Sequence, residues 1–254
     1  MRLQGKVAVI TGTGSGMGRA IALRFAAEGA VVWGADWHQE PLEETCRMVR
    51  SAGGSMMCVP GDVSDRAQAE AIIAAARERD GRLDVLVNNA GVMDLDQGAA
   101  ELDDAMWQRV LGVNLTGPMF LTRAAIPVML DSGGGSIVNV ASVAGMGGGA
   151  AGLAYTVSKH GLVGMTKQTA WRYGPEGIRC NAIAAGAVET NIMESVDATR
   201  MDPAGMARSQ AWYAAIPRQL QPGEIADLTL FLASDESRGV NGAIIPADGG
   251  WLAA

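Results

Sequence analysis

The sequence predicts an open, doubly wound α/β fold, a seven-stranded parallel sheet flanked by helices on both faces. Short β-branched apolar runs alternate with longer helical patterns along the whole chain. These runs are apolar on consecutive rather than alternate positions, as strands covered on both faces require. A glycine-rich turn follows the first run and opens directly into an amphipathic stretch, as strand-to-helix turns of such folds do. The 254 residues suffice for a sizeable core. No break in composition divides them, so residues 1–254 read as one domain.

In chain order the predicted strands are Lys6 to Ile10, Ala30 to Ala35, Met56 to Pro60, Val85 to Asn88, Ser136 to Val140, Arg179 to Ile183 and Ala243 to Pro246. Between them lie helical stretches at Met17 to Glu28, Pro41 to Ala52, Arg66 to Arg79, Asp103 to Leu130, Tyr155 to Tyr173 and Gly223 to Ala233. Pro41 reads as a first helical position, and Ser64-Asp65 as the start signal of an Ala-rich helix. Right-handed crossovers then lay the helices on the two sheet faces. The alternation breaks over residues 187–222, where Met193, Met201, Met206, Trp212 and Tyr213 give a long connection an apolar underside. A substrate flap and a subunit contact are both open readings of it.

Hydrophobic residues make up 48% and charged residues 19%, a globular composition without long disordered tails. Lys and Arg number 20 against 27 for Asp and Glu, a net charge of −7 with no run of like charge. Nucleic acid and anionic membranes are therefore poor partners. Ser132 to Ser158 carries no charge, but its glycines, Asn139 and Ser142 interrupt any membrane-spanning run. No targeting segment is expected, because Val7-Ala8-Val9-Ile10 already reads as a strand. Cys46, Cys58 and Cys180 fit neither a disulfide framework nor a zinc site, which points to a reducing, cytoplasmic compartment, and Cys58 and Cys180 in their apolar runs read as plain buried thiols. His38 and His160 lack metal-ligand partners at suitable spacing, so no metal is expected.

Glycine is the outlier, with 34 residues and no triplet period. Directly after the first strand stands Thr11-Gly12-Thr13-Gly14-Ser15-Gly16-Met17-Gly18. Placed there, Gly12, Ser15, Gly16, Met17 and Gly18 set backbone N–H groups and a helix N-terminus against a pyrophosphate, a Rossmann-type arrangement. The Gly-Lys-Ser/Thr ending of a triphosphate loop is absent. Asp36 closes the second strand eighteen residues beyond Gly18. A carboxylate there accepts from the adenosine ribose hydroxyls and repels a 2′-phosphate, so the cofactor reads as NAD. Neither Ser15 nor Trp37 offers a cation for that phosphate, and Arg19 is expected to face solvent. Asp62-Val63 closes the third strand and reads as a cap on the adenine ring, with an ordinary helix cap as the alternative.

Tyr155-Thr156-Val157-Ser158-Lys159 places a phenol and an ammonium four apart on one helical face. A neighbouring ammonium favours the phenolate, so Tyr155 gains acid–base capacity near neutral pH. With these pieces together the whole chain resembles the short-chain dehydrogenase/reductase family in its single-domain form. Thr11-Gly12, Gly16 and Gly18 look like its cofactor loop, Asn88-Asn89-Ala90-Gly91 like the motif closing its fourth strand, and Asn114 like its helix asparagine. Ser142, thirteen residues before Tyr155, stands where the family has its active-site serine. Gly186-Ala187-Val188-Glu189-Thr190 resembles the segment that reaches the nicotinamide carboxamide, and Asp248-Gly249-Gly250 the C-terminal signature.

The resemblance implies a role for each residue. Tyr155 is the acid–base group, and Ser142 hydrogen-bonds the substrate oxygen. Lys159 lowers the tyrosine pKa and grips the nicotinamide ribose, while Asn114 holds a water that links Lys159 to solvent. Asn89, Ala90 and Gly91 line the cofactor cleft, and Gly186, Val188 and Thr190 meet the nicotinamide end. The family's usual Pro-Gly is Ala185-Gly186 here, a change that frees the loop leading into residues 187–222. The Gly145 to Gly152 run reads as an adaptable substrate wall or as a flexible loop at the cleft mouth.

The expected protein is thus an NAD-dependent oxidoreductase that interconverts a secondary alcohol and a ketone on an apolar small molecule, alicyclic, aromatic or steroid-like. An NADPH-dependent reductase of acyl-carrier ketones and a cofactor-binding scaffold are the competing readings. Trp107, Phe120 and Trp171 on the long helices suggest a homo-oligomer, and the family implies a tetramer.

Overall fold

The computed structural model describes residues 1–253. Along β1 (Val7–Thr11), Ala8 and Ile10 enter one core while Val7 and Val9 enter another on the opposite face. That period-two division explains why the strands are apolar at every position. The chain continues through α1 (Gly16–Ala27), β2 (Val31–Asp36), α2 (Gln39–Ser51), β3 (Ser55–Pro60), α3 (Arg66–Asp80) and β4 (Val85–Asn88). It then forms α4 (Asp104–Leu111), α5 (Gly117–Asp131), β5 (Gly135–Val140), α6 (Leu153–Tyr173), β6 (Ile178–Ala185), α7 (Pro203–Tyr213), α8 (Pro222–Ala233) and β7 (Ile244–Ala247).

The strands form one parallel sheet in the order β3-β2-β1-β4-β5-β6-β7. Helices α1, α2 and α8 cover one face, and α3, α5 and α6 the other. Strand order reverses between β1 and β4, and a crevice opens at the carboxyl ends of strands where order reverses. Beneath that edge Asn88 donates to Asn139 at 2.8 Å and Asn139 to Thr166 at 2.8 Å, a buried polar chain that ties β4, β5 and α6 together.

Several elements depart from the sequence expectation. The helix expected to open at Pro41 begins at Gln39, which leaves Pro41 within its first turn. The stretch from Asp103 to Leu130 is two helices separated by a π turn at Gly112–Thr116, where the Gly117 N–H reaches the Gly112 carbonyl. Pro118 has no N–H with which to continue the α register, and the extra residue turns Asn114 inward. Asp65, rather than Asp62, caps α3, accepting from the Gln68 N–H at 2.9 Å. Strand β6 runs on to Ala185, which pairs with Ala247, and the Gly186 N–H donates to the Ala247 carbonyl at 2.9 Å. The missing proline therefore does not loosen this segment.

Residues 187–222 leave the sheet and return at neighbouring points, with Val188 bridged to Leu220. Within them lie short turns at Ile192–Ser195 and Ala198–Arg200, followed by α7. Trp212 packs on Trp251 with ring centroids 5.6 Å apart, and the Trp251 indole donates to the Trp212 carbonyl at 3.1 Å. The apolar underside is thus covered by the same chain. Of the three aromatics expected at a subunit contact, Trp107 and Phe120 lean on the cores of their own chain, and Trp171 is 79% exposed.

Cys46 on α2 and Cys58 on β3 are joined as a disulfide with Cα atoms 6.5 Å apart, which corrects the reading of Cys58 as a plain thiol. Packing of α2 beside β3 brings together two cysteines separated by twelve residues. Cys180 stays a free, buried thiol, pushed up to about 12 by burial. No helix among the described residues is long and apolar enough to cross a membrane.

Two glycines of the loop after β1 are fixed by the protein itself. Gly12 has φ +70°, and a Cβ at Gly18 would collide with the Gly12 carbonyl and the Asn89 side chain. Gly18→Ala should destabilise the cofactor-free protein by about 2–3 kcal/mol, lowering the Tm by roughly 5–10 °C in thermal melts. An unchanged Tm would mean that this glycine answers only to a ligand.

Candidate active site

The carboxyl ends of β1, β4, β5 and β6 converge on one crevice. The loop from β1 is held from both sides. The Asn89 amide donates to the Thr11 carbonyl at 2.8 Å, and the Thr11 hydroxyl accepts the Asn89 and Ala90 N–H groups at 3.0 and 3.1 Å. Asp36 accepts the Gly14 N–H at 2.8 Å and the His38 N–H at 3.0 Å. Arg19 does not face solvent as expected. It folds back to the Gly14 carbonyl and Thr45 and is paired with Glu44 at 2.8 Å.

This cradle suits a dinucleotide. Ser15 sits at the N-terminus of α1 but does not cap it, so the first-turn N–H groups stay open to an anion. Gly16 has φ +50° and lies beneath Thr190. The Asn89 Oδ1 is buried with no partner among the described residues, and Asn89 lines the crevice.

A cavity of about 600 Å³ continues from the crevice under residues 187–222. Ser142, Tyr155 and Lys159 meet in it, and Met93, Met201, Met206, Ile216 and Trp251 supply apolar wall. Tyr155 is 7% exposed and Lys159 3%. The Lys159 ammonium donates to the Val140 carbonyl at 3.0 Å and lies 5.4 Å from the centre of the Tyr155 ring. Ser142 accepts the Ala144 N–H at 3.1 Å, and this fixes the turn after β5. The inward-turned Asn114 pairs with both the N–H and the carbonyl of Val92, each at 2.9 Å, and donates to Ser158 at 3.2 Å.

The electrostatics correct one expectation. Burial drives the Tyr155 phenol up to about 12, and polar contact with the Ser142 hydroxyl opposes the rise without cancelling it. Burial also pushes the Lys159 ammonium down to about 8. In the cofactor-free protein desolvation therefore outweighs the help that the ammonium was expected to give the phenolate.

The sequence-derived site divides in two. Met17, Asn89, Gly91, Gly186, Val188 and Thr190 line the cavity together with the Ser142, Tyr155 and Lys159 cluster. Gly12, Ser15, Gly16, Gly18, Asp36 and Ala90 build the crevice beside it. Trp37 is 64% exposed, Asp62 turns back to accept from Ser64 at 2.8 Å, and the Val63 side chain lies in the core. These three do not converge on the cavity. Of the glycine run after Ser142, Gly149 packs on Trp212, Gly152 on Asp94 and Gly145 on Lys159, while Ala150 lines the cavity.

Sequence reasoning missed Asp94. It is buried and accepts the N–H groups of Gly152 at 3.1 Å and Tyr155 at 2.9 Å. It thus caps α6 from a distant loop and fixes the helix turn that carries the phenol. The only trace in the sequence is its position shortly after Asn89-Ala90-Gly91.

Lys159→Met should isolate the cost of burying the ammonium. Below pH 8 both folded and unfolded chains hold the proton, and folding bears the full desolvation cost. The cost fades as the pH rises from about 8 toward 10.5. Lys159→Met should therefore gain roughly 1–3 kcal/mol of stability at pH 7 without cofactor and lose that advantage above pH 10. Denaturant melts at the two pH values check it.

A family model described as Enoyl-(Acyl carrier protein) reductase matches residues 12–252. The chain is 44% identical to the short chain dehydrogenase ausX of Aspergillus calidoustus, over 98% of each protein. It is 41% identical to 3beta-hydroxysteroid dehydrogenase 2 of Eggerthella lenta, over 99% of this chain and 96% of that protein. Among solved structures it is similar to levodione reductase, with a TM-score of 0.90 and 37% identity over the full length of both. It is also similar to a putative NAD(P) dependent gluconate 5-dehydrogenase from Beutenbergia cavernae with bound NADP, at a TM-score of 0.87 and 37% identity over 99% and 98% of the two chains. On its sheet order, its crevice and these similarities, the chain belongs to the short-chain dehydrogenase/reductase family of oxidoreductases.

Proposed function

We propose that this protein is an NAD-dependent dehydrogenase that interconverts a secondary alcohol and a ketone on an apolar, alicyclic or steroid-like molecule. The observation that carries the reading is the meeting of Ser142, Tyr155 and Lys159 in one cavity whose remaining wall is largely apolar. The 3beta-hydroxysteroid dehydrogenase and levodione reductase among the similar proteins support the substrate class. Asp36 beside Gly14 supports NAD, because its carboxylate favours ribose hydroxyls and repels a 2′-phosphate. Glu44, paired with Arg19, offsets the nearest cation.

Gly16, Met17 and the α1 N-terminus would hold the pyrophosphate, Asp36 the adenosine ribose, and Lys159 and Thr190 the nicotinamide end. When bound, the nicotinamide supplies the hydride acceptor or donor. Ser142 holds the substrate oxygen, so that the reacting carbon is positioned for transfer. Tyr155 takes the hydroxyl proton during oxidation and returns it during reduction. Its buried phenol is protonated at neutral pH, the form that donates in ketone reduction. Asn114 shapes the proton path at Lys159 by fixing Val92 and Ser158. Residues 187–222 act as a flap over the substrate.

The test follows nicotinamide absorbance with NAD+ and NADP+ over a panel of secondary alcohols, with the native protein beside Tyr155→Phe. The native protein should turn over with NAD+ in preference to NADP+. Tyr155→Phe should lose about a hundredfold or more in kcat while still binding NAD+. A clear NADP+ preference would overturn the reading of Asp36, and full activity in Tyr155→Phe the reading of the phenol.

The exposed Trp171, with Met119 and Leu130 on α5, supports a contact between copies of the chain, and the family resemblance implies a homotetramer. Light scattering should give about four chain masses, and a monomer would remove this claim.

A further inference from the structure

A buried carboxyl group in the substrate cavity is unused by the reading above. Asp96 lines the cavity together with Tyr155 and Tyr213, yet it is only 6% exposed. Its Oδ1 is buried with no hydrogen-bond partner among the described residues. An unsatisfied buried acceptor costs stability, and this one belongs to a residue of the cavity wall, where an entering molecule can supply the missing donor.

The backbone there is held as firmly as the side chain is left open. Asp96 is the sole non-glycine residue among the described residues with a positive φ, at 55°. Its N–H donates to Asp94 at 3.2 Å, and the Asp202 N–H donates to the neighbouring Leu95 carbonyl at 2.9 Å. The Asp96 carbonyl lies so close to Gly205 at the start of α7 that any side chain at 205 would collide with it. Strain imposed from both sides at one residue is typical of a site built to present a group.

The neighbours define what that group can take. The Tyr213 hydroxyl is turned to the Ala150 carbonyl at 3.2 Å, and Met201 and Met206 are apolar. Burial first, and then the adjacent carboxylates of Asp94 and Asp202, raise the Asp96 pKa. The unpartnered carboxyl oxygen accepts a hydrogen bond, which a hydroxyl group on an otherwise apolar molecule supplies.

We propose that Asp96 is a specificity residue, whose carboxyl group anchors a second hydroxyl group on the substrate, distinct from the one being oxidised. The preferred substrates are then alicyclic diols and the matching hydroxyketones rather than simple apolar alcohols. The proposal rests on reading the cavity as the substrate pocket of an alcohol dehydrogenase.

Binding and turnover are measured separately so that the two readings can fail separately. Calorimetry on NAD+-loaded Tyr155→Phe compares cyclohexanol with the cyclohexanediols, decalinols with decalindiols, and monohydroxysteroids with dihydroxysteroids. In at least one series a diol should bind roughly tenfold or more tightly than its mono-alcohol, because a site built for a hydroxyl rejects the analogue that lacks it. Adding Asp96→Gly, which suits the positive φ, should bring that ratio to about one. Asp96→Asn, which also tolerates this backbone, should leave an intermediate ratio. Absence of a diol preference in all three series, or a preference that survives Asp96→Gly in a protein that still binds NAD+, would overturn the assignment. Diol preference in binding without turnover by the native protein would support Asp96 as the anchor and count against the dehydrogenase reading alone.

Discussion

The structure depends on the close approach of the β1 and β4 ends where the sheet reverses its order. One hydroxyl, that of Thr11, and one amide, that of Asn89, fasten the two loops together. Gly12 and Gly18 allow α1 to start so near β1 that its N-terminus points into the crevice. Strands β5 and β6 register on β4 in sequence, so the positions of Ser142 and Thr190 follow from the same junction. The cofactor cradle and the reaction chamber are two sides of one packing constraint.

Within that frame the site is expensive to hold together. The cavity contains an ammonium with only neutral partners, a phenol in a dry environment and a strained aspartate. Each is held by rigid neighbours: the Val140 carbonyl for Lys159, the Asp94 cap for the turn that carries Tyr155, and Gly205 for the Asp96 backbone. The helix cap matters most for geometry, since it places the phenol from an element outside the helix itself.

Much of the fold was legible because it rests on local patterns. Consecutive apolar runs of Val and Ile define the strands, and Asp65 and the loop glycines mark helix starts. Boundaries moved where pairing extended a strand, as at Ala185, or where a proline lacked an N–H, as at Pro118. The motif residues of the site were legible because their types and order are specific. Asp94 and Asp96 were not, because a carboxylate in a loop looks the same whether it faces solvent or caps a distant helix. The Cys46–Cys58 pair and the inward turn of Arg19 escaped because both depend on which elements pack side by side. The balance of charges at Tyr155 also needed the structure, since burial cannot be read from a spacing of four residues.

The Val188–Leu220 bridge has a bearing on how such a protein diverges. Because the long segment departs and returns at adjoining points, its length and composition are nearly uncoupled from the sheet. Insertions or replacements between Thr190 and Leu220 would alter the roof of the chamber while the floor keeps its register. A lineage can therefore explore new molecules by rewriting the part of one stapled excursion that lies beyond Thr190, with the redox apparatus inherited intact.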